Sequence, residues 1–136
     1  MLRKAQFDIR LETSGENGED LVRQSSEGAV LVQDGDVMLR YAEPDNEGTA
    51  TLLLTQHLAD LKRKGRIQAR LTFITGQLQD TFYTTPLGSL NLSIFTHAQQ
   101  FAFDDEGGEF VARYSILIDG AHTTDNRLSV KWRYLS

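Results

Sequence analysis

Glu43 and Arg63 are the residues whose types and placement most invite chemistry in this chain. A guanidinium is planar and permanently charged, and its fork matches a carboxylate or a phosphate. In "VMLRYAE", residues 37–43, alternation puts Glu43 on the face that carries Val37, Leu39 and Tyr41. In "HLADLKRKG", residues 57–65, it puts Arg63 with Ala59 and Leu61. Tyr114 shares the apolar face of its own segment, as does Thr96 of its segment. If the apolar faces line one interior, Arg63, Glu43, Tyr41, Tyr114 and Thr96 point into it or sit at its mouth. Buried charges are costly unless paired and hydrogen-bonded. Two readings follow. In one, Glu43 and Arg63 form a structural ion pair braced by tyrosine hydroxyls. In the other, Arg63 meets the acid group of a small ligand. The first has general precedent, because buried polar groups usually serve each other.

Other chemistries find less support. There is no cysteine, so a thiol nucleophile, a disulfide and a cysteine-ligated zinc site are all excluded. The histidines are expected in strands (His57, His97) and in a turn (His122), without zinc or calcium spacing. No serine stands in a nucleophile elbow, and Asp104-Asp105-Glu106 reads as a solvated turn. We therefore assign no catalytic residue, no metal and no cofactor. The basic run Lys62-Arg63-Lys64-Gly65-Arg66 fits a hairpin tip, where such residues keep strands soluble.

These residues need elements to hold them, and the dominant period is two. Phe7, Ile9 and Leu11 share a face, as do Ile67, Ala69, Leu71 and Phe73. So do Leu90, Leu92 and Ile94; Phe110, Ala112, Tyr114, Ile116 and Ile118; and Leu128, Val130, Trp132 and Tyr134. One dry face and one wet face is the pattern of antiparallel sheets. Turn signals separate the runs at 34–36, 62–65, 75–77, 105–108 and 119–126. Pro86-Leu87-Gly88 is a corner between two strands, because a phosphate-cradling loop would need more glycines and a following helix. "TLLLTQHLADLKRKG", 51–65, fits either a helical face of Leu54, Leu58 and Leu61 or a strand pair with Thr51, Leu53 and Thr55, then Ala59 and Leu61, on one side; the strand-like "RIQARLTF" beside it favours strands and a hairpin about Gly65. In 80–85, Phe82 and Tyr83 compete for the inward face.

The whole chain, 1–136, reads as one all-β domain, an antiparallel meander of about eight to ten strands closed as a barrel or folded as a sandwich. No signal-peptide pattern or membrane-length apolar run occurs, which points to the cytoplasm. A net charge of −5 argues against nucleic acid and anionic membrane as partners.

The spaced set "YAE" (41–43), "RKG" (63–65), "FITG" (73–76) and "YTTPLGSL" (83–90), continued by Thr96 and "ARYSI" around Tyr114, resembles the YwiB-like family of uncharacterised bacterial proteins. The resemblance implies a calycin-like, lipocalin-like antiparallel β-barrel and carries over no activity and no site residue. Three classes of function are then open. The barrel carries a small molecule, with Arg63 and the tyrosines as polar anchors. Alternatively it is a filled, non-enzymatic interaction or assembly module, for example a homodimer. An enzyme with a mouth site is the third and has no linear motif in its favour.

Overall fold

The computed structural model describes residues 2–135, which form ten strands and one short 3-10 turn. The strands are β1 (Leu2–Gly15), β2 (Gly18–Gln33), β3 (Asp36–Glu43), β4 (Gly48–Leu54), β5 (Ala59–Lys64), β6 (Gln68–Phe73), β7 (Leu78–Thr85), β8 (Gly88–Phe103), β9 (Gly107–Ile118) and β10 (Ala121–Tyr134). Each pairs antiparallel with the next in sequence, and β1 with β10 closes the barrel. A closed sheet leaves no long edge to template aggregation, which suits a chain of short alternating strands.

The alternation expected from the sequence is visible in burial. Along β3, Val37, Leu39, Tyr41 and Glu43 are buried while their neighbours are exposed. Phe7, Leu39, Leu52, Leu54, Phe73, Ile94, Phe110 and Val130 are shut off from solvent. Burying each such side chain contributes roughly 1.5–3 kcal/mol. Trp132 needs room as well as burial. A side-chain carbon on Gly108 would strike the Trp132 ring, so the glycine lets the indole lie against its own ladder.

The barrel is uneven. β3 to β7 have 6 to 8 residues, whereas β1, β2, β8, β9 and β10 have 12 to 16. The weakest seam lies between β6 and β7, whose register consists of Gln68↔Thr84 and Ala69↔Tyr83. Below those pairs, the Thr81 hydroxyl donates to the Arg70 carbonyl and spans the gap.

Some local expectations need correction. The segment 51–65 is indeed a strand pair, but the inward residues of β4 are Ala50, Leu52 and Leu54, not Thr51, Leu53 and Thr55. Three consecutive leucines blur the period there. His57 lies in the bend between β4 and β5 instead of a strand. His122 lies in β10, because the preceding turn is only Asp119-Gly120. Pro86-Leu87 is the corner between β7 and β8, and Gly65 lies in the turn between β5 and β6.

Candidate functional site

The ladders set Arg63 in a row of alternating bulk. Tyr41 faces Ala50, Ala50 faces Arg63, Arg63 faces Ala69, and Ala69 faces Tyr83. Directly paired residues of antiparallel strands share a face. Arg63 therefore lies between two alanines, with a tyrosine beyond each. The small residues leave its side chain space to lie across the wall.

Glu43 is the last residue of β3 and Arg63 the last but one of β5, so both sit at the end of the barrel formed by the turns after β3, β5 and β7. Arg63 Nε donates to both Glu43 carboxylate oxygens at 3.1 Å. The Arg63 side chain is 27% exposed and that of Glu43 9%. Among the described residues, no protein acceptor takes a hydrogen bond from the terminal amino groups of Arg63. Burial works against the guanidinium, but the Glu43 carboxylate outweighs it and holds the Arg63 pKa above its ordinary value.

Three of the four tyrosines converge on this group. Burial raises the Tyr41 pKa, Glu43 raises it further, and Arg63 opposes both. Burial likewise pushes the Tyr114 hydroxyl up to about 12, against the pull of Arg63 and with the help of Tyr83. The rings are fixed by packing. Phe7 and Tyr41 lie 5.2 Å apart, and Phe73 meets Tyr114 edge-on at 5.0 Å. The competition in β7 is settled by the ladder: Tyr83 is on the inward side and Phe82 is 69% exposed. Thr96 is different. It faces Tyr114 across β8 and β9, is fully buried, and its hydroxyl has no protein partner among the described residues. No side-chain hydrogen bond joins it to Arg63 or Glu43 among them.

A residue with no signal in the sequence braces the mouth. Asn46 ends the 3-10 turn Pro44–Asn46 and is 5% exposed. Its amide donates to the Ile67 carbonyl at 3.0 Å and to Glu43 at 3.4 Å. Its side-chain oxygen accepts from Ile67 N at 2.6 Å, and its carbonyl accepts from Arg66 N at 2.8 Å. Asn46 thus locks the β3–β4 turn onto the β5–β6 turn. Gly65 permits this, since a Cβ there would strike the Asn46 carbonyl. An asparagine in "EPDNEG" looks like an ordinary solvated turn residue, which is why sequence reasoning passes over it.

A second polar cluster lies on the outer wall. Ser115 Oγ donates to Asp125 Oδ1 at 2.6 Å, and His97 Nε2 lies 2.7 Å from the same hydroxyl. His122 Nε2 approaches Asp125 at 2.9 Å. Hydrogen bonds from Ser115 and His122 hold the Asp125 carboxyl below its usual pKa. With its proton committed to Asp125, Ser115 takes a hydrogen bond from His97 and does not give one. The serine stands between the histidine and the aspartate, so the set lacks the order of a catalytic triad, in which histidine is the middle member. A groove of about 790 Å³ runs alongside, bordered by His97, Arg113, Tyr114, Asp125 and Arg127. Another of about 600 Å³ lies at the opposite end of the barrel, against Phe101, Phe103 and Phe110. Neither is walled by Arg63, Glu43 or Tyr41. Among the described residues, no three acidic or histidine side chains gather as a metal ion requires.

Residues 8–130 match the family described as "Domain of unknown function (DUF1934)". The chain belongs to that family. A crystal structure described as that of the ywiB protein from Bacillus subtilis superposes on this DUF1934 barrel with a TM-score of 0.88. It is 15% identical in sequence, over 99% of this chain and 94% of that one. The YwiB-like resemblance read from the sequence therefore holds, and so does the closed antiparallel β-barrel it implied. At that identity the likeness concerns the fold. No curated protein matches the chain. No helix among the described residues is long and apolar enough to cross a membrane.

Proposed function

We propose that this DUF1934 barrel binds a small anion, a carboxylate or phosphate group, at its Arg63 mouth. One observation carries the reading: Glu43 engages Arg63 through Nε alone. The terminal amino groups are left without a protein acceptor among the described residues, and the charge of Arg63 is felt by the hydroxyls of Tyr41, Tyr83 and Tyr114. A guanidinium already fixed by a carboxylate loses little side-chain entropy when it takes a second partner. Tyrosine hydroxyls supply neutral donors that complete such a site without adding charge.

The large apolar side chains that fill the core argue against a deep lipocalin-type cavity. The ligand is accordingly compact, with its acid group on Arg63 and any apolar part toward the rim. Titration calorimetry with inorganic phosphate and short carboxylates tests this on the wild type, Arg63→Lys and Arg63→Leu. Saturable binding that weakens at least tenfold in Arg63→Lys and vanishes in Arg63→Leu supports the site. Equal binding by all three proteins, or none by the wild type, refutes it.

A further inference from the structure

The β7–β8 hairpin stands out from the rest of the chain in charge and in shape. Residues 81–103 contain no Asp, Glu, Lys or Arg, although 24% of the sequence is charged. The ladder between β8 and β9 begins only at Leu92↔Ile118. Gly88 to Asn91 therefore project beyond β9 with one edge unpaired. Leu87 at the tip is fully exposed, and Leu90 is 48% exposed. On the outer face, Phe82 and Leu78 of β7 are 69% and 54% exposed, beside half-buried Phe95 and Leu117. Asp80, on the same face, accepts a 2.7 Å hydrogen bond from Ser93.

Exposed strand edges are normally guarded by charge, and this one is not. We propose that a second copy of the chain covers it, with two hairpins meeting about a twofold axis through residues 82–91. The charge pattern selects this occupant. Each copy carries −5, so most pairings of faces bring like charges together, whereas an uncharged hairpin meets its own image without repulsion. The symmetry fits as well, since an edge paired antiparallel with itself is compatible with a twofold axis. Phe82 and Leu87 would be the apolar anchors.

Light scattering coupled to size exclusion tests this on the full chain over a range of concentrations. Phe82→Lys and Leu87→Lys are compared with Met38→Lys, a change at an exposed apolar residue on β3. Circular dichroism verifies that each variant is folded. The expected result is twice the single-chain mass for the wild type and Met38→Lys, and the single-chain mass for both hairpin variants. A wild type that stays monomeric at every concentration overturns the proposal. So does a dimer that survives both hairpin substitutions, or a monomer whose hairpin instead retains a different protein.

Discussion

Arg63 meets Glu43 through Nε alone, at 3.1 Å to each carboxylate oxygen. An end-on fork would have used two terminal nitrogens and left little for anything else. The side-on arrangement neutralises the carboxylate while the outer part of the guanidinium stays without a protein acceptor among the described residues. In the proposed function the same pair braces the mouth and receives an anion.

The bracing role gives the first prediction. Arg63→Leu removes the two Arg63 hydrogen bonds from a carboxylate that is only 9% exposed and leaves it the longer one from Asn46. The expected loss is about 2–3 kcal/mol, below the range for fully buried pairs because the arginine reaches solvent. Glu43→Gln keeps the shape and costs less. Urea denaturation of both single variants and the double variant should give a coupling of about 1–3 kcal/mol. Additive effects would mean the contact contributes little.

Asn46 and Gly65 form the second test. Asn46→Ala leaves the Ile67 amide without its 2.6 Å acceptor and the Ile67 carbonyl without its donor, so that only the Arg66 N to residue 46 carbonyl bond still ties the β5–β6 turn to the β3–β4 turn. A loss of about 2 kcal/mol is expected. Gly65→Ala forces the Asn46 carbonyl aside and should cost about 1–3 kcal/mol. Because both changes disturb one junction, the double variant should lose less than the sum. Thermal melts of the three proteins measure this.

Alkaline stability reports on the tyrosines. An unfolded tyrosine ionises near 10.0, whereas folded Tyr114 holds its proton to about 12, and Tyr41 is raised as well. Between those values the unfolded chain binds fewer protons than the folded one. Stability is then complete below pH 10 and falls as pH rises through this window, by up to about 1.4 kcal/mol per pH unit for each tyrosine. Tyr114→Phe and Tyr41→Phe should each flatten the decline. An unchanged slope in both would show that these hydroxyls are not shielded.

Much of this was legible in the sequence where polar and apolar residues alternate cleanly. The period in 37–43 and 110–118 places Tyr41, Glu43 and Tyr114 on the inward faces that the structure shows. Legibility fails where both faces look alike. Leu52-Leu53-Leu54 offers no contrast, and in β7 only the pairing of Ala69 with Tyr83 decides between Phe82 and Tyr83. His57 and His122 fall outside the elements that the sequence pattern predicts for them, because short bends and two-residue turns leave weak marks. Asn46 is invisible for a related reason: its burial depends on a turn some twenty residues away, and no local pattern encodes that contact.

The anion site can be observed at the atom that defines it. The Arg63 side-chain Nε–Hε signal, assigned by its loss in Arg63→Lys, would be followed by ¹⁵N NMR as phosphate or a short carboxylate is added. A saturable shift of that signal is expected, together with shifts of the backbone amides near Tyr41, Glu43 and Tyr83. A signal that does not move, or shifts of equal size spread over the lysines and arginines of the surface, would contradict the proposed site.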